Sequence, residues 1–126
     1  MDIKVYLETI NNIEINIEIV KSVEDRYKTS LPEGVKKIIS VVLDDYFISD
    51  KCRVLSVKEI LMSEEFTGVD FTSLNMIPLI DCKDDDYIVY DFTVKKYVMY
   101  NTFDEVGFRE ADSFVELLST LEKSQN

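Results

Sequence analysis

The stretch IPLIDCKDDDYIVYDFTVKKYVMY, Ile77 to Tyr100, decides the fold. Ile77 to Ile80 is a short apolar run of buried-strand length, and the cluster Asp81, Asp84, Asp85, Asp86 is a turn into a second run, Tyr87 to Phe92. Lys95-Lys96 then lead into a third, Tyr97 to Phe103. Within these runs Ile88, Tyr90 and Phe92 are expected to share one face and Tyr97, Met99 and Phe103 another, the alternation of an antiparallel sheet with one covered side. Isoleucine and valine vastly outnumber the single alanine, Ala111, and β-branched side chains suit a pleated, half-buried surface.

Helices are expected on both sides of this meander in the sequence. Downstream, Ser113 and Glu116 form a capping box, and Phe114, Leu117, Leu118 and Leu121 form one apolar stripe, with Glu122 to Asn126 fraying. Upstream, Ser56 and Glu59 cap a short helix with Val57, Ile60 and Leu61 on its apolar face, ending by Phe66 or Gly68 and preceded by a strand over 52–55. Pro32 opens another helix, with Val35, Ile38, Ile39 and Val42 at i, i+3, i+4, i+7 spacing. The N-terminus reads as a strand, because Ile3, Val5 and Leu7 alternate with polar neighbours. A helix follows to about Lys28, with Ser22 and Asp25 resembling its capping box. One α+β domain over residues 1–126 is expected: an antiparallel central meander with N-terminal helices and a C-terminal helix packed on one side.

The composition of the 126-residue chain, 46% hydrophobic and 31% charged, is that of a globular domain. Histidine is absent, which removes Ser-His-Asp and Cys-His catalysis and every histidine metal site. Gly34, Gly68 and Gly107 are isolated, so no glycine-rich phosphate loop is encoded. The acidic turn fails the calcium-loop pattern from either Asp81 or Asp84. Cys52 and Cys82 form no C-x-x-C and read as buried small hydrophobes, with neither a zinc knuckle nor a redox dithiol. No catalytic residue, metal or cofactor is expected. No basic leader or 18-residue apolar stretch is present, so the expectation is a cytoplasmic protein without a membrane partner.

The net charge is −11, and −9 of it lies from Glu64 onward. Such a field repels nucleic acid and speeds encounter with a basic partner. Seven tyrosines accompany it, a residue type enriched at interface hot spots. The candidate partner-binding residues are therefore Asp81, Asp84, Asp85, Asp86, Asp91 and the neighbouring Tyr87, Tyr90, Tyr97 and Tyr100. The competing reading places two or more of these tyrosines in the sheet's core.

The order of elements resembles the SUKH superfamily, which includes the fungal Smi/Knr regulators of cell-wall synthesis and many small bacterial proteins. VEDRYKTSLPEGVKKII (Val23 to Ile39) is similar to the family's first helix, Leu-Pro hinge and second helix, with Glu24, Tyr27, Leu31 and Pro32 on typical positions. VLSVKEILM resembles the strand and short helix that follow, the Ile77 to Tyr100 stretch its meander, and ADSFVELLSTL its closing helix. The family's usual turn glycines are replaced here by aspartates and by Val94-Lys95. The resemblance implies a non-enzymatic binding protein: an immunity protein that neutralises a cognate, nuclease-type toxin encoded nearby. The alternative it implies is an intracellular regulatory scaffold binding host proteins.

Overall fold

The computed structural model describes residues 3–42 and 44–124, with side chains to residue 120. The chain is α+β. Three helices, α1 (Ile3–Asn12), α2 (Ile17–Tyr27) and α3 (Glu33–Ser40), lead to strand β1 (Arg53–Val54) and two short helices, α4 (Val57–Leu61) and α5 (Ser63–Thr67). Strands β2 (Met76–Asp81), β3 (Asp86–Asp91), β4 (Lys96–Asn101) and β5 (Val106–Ala111) follow, then α6 (Phe114–Ser124). The five strands form one antiparallel meander in the order β1-β2-β3-β4-β5.

The expected N-terminal strand is instead α1. Its buried residues are Ile3, Tyr6 and Ile10, with Leu7 partly buried beside them, which is a helical stripe, whereas Val5 is half exposed. Tyr6 and Ile10 outweigh the local alternation because the core lies on their side of the segment. Helix α2 starts at Asn16, whose side chain accepts from the Ile19 N–H at 3.1 Å. The Ser22–Asp25 box does not form: Ser22 lies inside the helix and donates to the Glu18 carbonyl. Glu24 accepts from the Leu31 N–H at 2.8 Å and so holds the Leu-Pro hinge against α2. Val42, placed by spacing on the third helix, lies past its end and is exposed.

The capping box at Ser56 and Glu59 forms as read. The helical region breaks at Met62 and stops at Gly68, whose φ of 77° is a left-handed cap that glycine adopts freely. Ser113 caps α6 by accepting from the Glu116 N–H at 3.1 Å, and Leu117 and Leu118 are fully buried. The side chain of Leu121 and the fraying residues 125–126 lie outside the described residues.

The register corrects the assignment of faces. Ile88 opposes Met99 and Tyr90 opposes Tyr97, so these residues share one face. Phe92 and Phe103 lie beyond the strand ends. Ile88, Val89 and Tyr90 are buried in succession, as are Tyr97 to Tyr100, so no polar alternation survives at the centre of the sheet. The Tyr90–Tyr97 face receives helices: Tyr97 packs on Phe114 with centroids 5.7 Å apart, and Phe114 packs on Tyr6 at 6.2 Å. Helix α3 approaches so closely that a Cβ on Gly34 would stand 2.5 Å from the Tyr97 hydroxyl.

Candidate functional site

The acidic turn joins β2 to β3 through Cys82, Lys83, Asp84 and Asp85. Reversing the chain in so few residues places Lys83, Asp84 and Asp85 at φ 63°, 53° and 66°, all left-handed. Aspartate visits this region more readily than most residues because its short polar side chain can bond locally. Asp81 supplies such a bond, accepting from the Lys83 N–H at 3.0 Å, and the Asp86 N–H donates to the Lys83 carbonyl at 2.9 Å. Left-handed backbone also occurs at Lys95 in the next hairpin.

A second turn, Thr102 to Glu105 between β4 and β5, lies against the first. The Thr102 N–H donates to the Asp85 carbonyl at 2.8 Å, and its hydroxyl donates to the same oxygen at 3.1 Å. The Asn101 amide donates to the Asp86 carboxylate at 2.8 Å, while its oxygen accepts from the Asp104 N–H at 2.7 Å. Asn101 and Thr102 therefore clamp the two turns into one ridge. Asp84, Asp85, Asp104 and Glu105 are exposed on it, Asp81 and Asp86 are half-buried, and Phe103 stands among them with 82% of its surface in solvent.

The candidate residues separate into three groups. Asp81, Asp84, Asp85 and Asp86 lie together on the ridge. Asp91 does not: β3 places it about 17 Å from Asp86 at the other end of the strand. There Asp91 accepts from the Thr93 N–H at 2.8 Å and shapes the β3–β4 hairpin. The tyrosines are core residues. Tyr90, Tyr97 and Tyr100 are buried, and Tyr87 is half-buried against Phe71 at 5.6 Å. Burial, reinforced by the charges of Asp81 and Asp85, pushes the Tyr87 phenol up to about 12. Burial followed by the neighbouring Tyr90 does the same at Tyr97, also to about 12. The surface aromatic beside the acidic cluster is Phe103, which the strand reading assigned to a sheet face. Its signal in the sequence was the polar run around it, Asn101-Thr102 before and Asp104-Glu105 after, which is turn chemistry.

The ridge continues into β5, which the sequence reading had not distinguished as a strand. β5 is an edge strand, and Val106 to Glu110 are all exposed, including Val106 and Phe108. The opposite edge differs, since Arg53 of β1 bridges to Phe47. A concavity of about 410 Å³ lies elsewhere, between α1, α3, the β3–β4 hairpin and α6. Its lining includes Tyr90, Tyr97, Phe114, Lys37 and Lys95. Among the described residues no group of three or more thiol or carboxylate side chains is arranged to hold a metal ion, and no helix is long and apolar enough to cross a membrane.

Comparison with protein-family models, with curated proteins and with solved structures finds no match to the chain.

Proposed function

We propose that this chain is an inhibitory binding protein that covers a basic, nuclease-type toxin domain with the ridge formed by its two acidic turns. The observation that carries the reading is the Asn101–Thr102 clamp, which holds exposed carboxylates from two separate turns around the solvent-exposed ring of Phe103. An exposed aromatic within a rigid acidic rim matches the anatomy of a hot spot: the ring supplies the desolvated anchor, and the carboxylates steer a basic partner. The resemblance to SUKH immunity proteins supports the same reading. Its toxin is expected to be encoded beside it.

The test is co-expression with the neighbouring reading frame, a viability assay without this chain, and stopped-flow binding of the purified pair. Changing Asp84, Asp85 and Asp86 together to Asn is expected to slow association about tenfold at low salt and to flatten its salt dependence. Phe103→Ser is expected to act mainly on dissociation, speeding it about tenfold or more. Unchanged rates in both variants would remove the ridge as the contact surface. A harmless neighbour that does not bind would favour the regulatory scaffold.

A further inference from the structure

Cys52 and Cys82 stand 30 residues apart and share no motif, yet the sheet brings them opposite each other. Arg53 opposes Asp81 and Val54 opposes Ile80, so the next step of the same antiparallel register pairs Cys52 with Cys82. The hydrogen bonds define the kind of pair. Leu55 N–H donates to the Leu79 carbonyl at 3.0 Å across the two chains, which makes 55/79 a hydrogen-bonded pair. Alternation then makes 52/82 a non-hydrogen-bonded one. Consistent with this, the Cys52 carbonyl accepts from Ile48 at 2.9 Å and the Cys82 N–H donates to Asp86 at 2.8 Å, both directed away from the shared seam. Non-hydrogen-bonded antiparallel pairs hold their Cα atoms about 4.5 Å apart with side chains facing, inside the range a disulfide spans.

We propose that Cys52 and Cys82 are a thiol–disulfide pair that closes on exposure to a small peroxide and joins β1 covalently to the entrance of the acidic turn. Both cysteines are free and buried, Cys52 at 2% and Cys82 at 7% exposure, so the pair lies just beneath the surface. A peroxide reaches that depth more readily than a bulky thiol reagent. The two thiols already interact. The hydrogen bond from Cys82 holds the Cys52 thiol below its ordinary value, with a smaller contribution from Ser49, while the same contact followed by burial pushes Cys82 up. The linked product is the same whichever sulfur attacks first. When Cys52 leads, its thiolate attacks one peroxide oxygen, the O–O bond breaks, and hydroxide leaves to be protonated, giving a sulfenic acid on Cys52. The Cys82 sulfur then attacks the Cys52 sulfur, the S–O bond breaks, and water departs with the Cys82 proton. Two thiols and one hydrogen peroxide yield one disulfide and two waters.

The full chain is treated with hydrogen peroxide under native, non-reducing conditions, digested, and mapped by mass spectrometry alongside thermal unfolding. A peptide linking Cys52 to Cys82 is expected, together with a rise in Tm of about 10 °C from closing the intervening loop, reversed by dithiothreitol. Cys82→Ser is expected to leave a sulfenic acid on Cys52 that a cyclic 1,3-dione captures. Should that variant fail to fold, the mapping of the unaltered chain decides alone. Oxidation to sulfinic acid without a linked peptide, or cross-linking only between molecules, would overturn the proposal.

Discussion

Tyr6 is fully buried, and its hydroxyl has no hydrogen-bond partner among the described residues. Its ring packs between Tyr46 at 5.6 Å and Phe114 at 6.2 Å, which explains why the position is aromatic but not why it is tyrosine. A buried, unpaired hydroxyl costs about 1–3 kcal/mol. Tyr6→Phe removes that cost, keeps the ring contacts, and opens a void no larger than one oxygen atom, so a net gain of about 1–2 kcal/mol is expected. At about 2.1 cal/mol/K per residue, 126 residues unfold with an entropy near 0.26 kcal/mol/K, so Tm should rise by about 4–8 °C. Urea unfolding should show a higher midpoint at unchanged m. The same substitution has a signature in alkali. Burial, with the neighbouring Tyr46, raises the Tyr6 phenol above its ordinary value of 10.0, so the folded state keeps a proton that the unfolded state releases. Stability is therefore fully present below about pH 10 and is lost as pH rises toward the folded value. Burial also raises Tyr27, Tyr87, Tyr90, Tyr97 and Tyr100, so the unaltered chain should lose stability steeply above pH 10. Tyr6→Phe should make that slope shallower by about 1.4 kcal/mol per pH unit. A loss of 1 kcal/mol or more at neutral pH, with an unchanged alkaline slope, would refute the reasoning and show that the hydroxyl is bonded in the folded protein.

Two further outcomes follow from local geometry. Glu59 accepts from both terminal nitrogens of Arg53 at 2.7 and 2.6 Å and from the Ser56 N–H at 3.1 Å, so Glu59→Gln is expected to cost about 1–2 kcal/mol in urea unfolding. Arg53 holds the Glu59 carboxyl below its ordinary value of 4.5, so this contribution is present above that pH and lost as pH falls through the folded value. The variant should accordingly show a flatter acid limb, and an unaltered one would count against the pairing. Lys83 is exposed with φ 63°, so Lys83→Gly relieves about 1–2 kcal/mol of left-handed strain against a smaller entropic loss. The net gain, up to about 1 kcal/mol, is measurable by thermal unfolding, and a clear loss would mean that the lysine side chain itself supports the turn.

Much of the fold was legible because its signals are local. Ser56 with Glu59 and Ser113 with Glu116 are contacts between residues three apart: the first forms the full box, and in the second Ser113 accepts from the Glu116 N–H. The meander followed from apolar runs separated by polar turns. Failures came where two periods fit the same residues. Ile3, Val5 and Leu7 satisfy a strand, while Ile3, Tyr6 and Ile10 satisfy a helix, and only the position of the core chooses between them. β5 was less legible still, since Val106 to Glu110 are all exposed and are held in the sheet by pairing with β4.

By itself the sequence determined the α+β architecture, the acidic second half, the absence of histidine chemistry and the turn that gathers Asp81, Asp84, Asp85 and Asp86. These depend on composition and on neighbours within a few residues. Tertiary structure decided which aromatics remain outside: Tyr90, Tyr97 and Tyr100 are drawn into the core while Phe103 stays in solvent. It also decided that the second acidic turn lies against the first, and that the register of β1 on β2, Arg53 opposite Asp81, leads Cys52 toward Cys82. Each of these is a contact between distant segments, set by strand register. A shift of one residue would turn every side chain of a strand to the other face, and no local pattern encodes that choice.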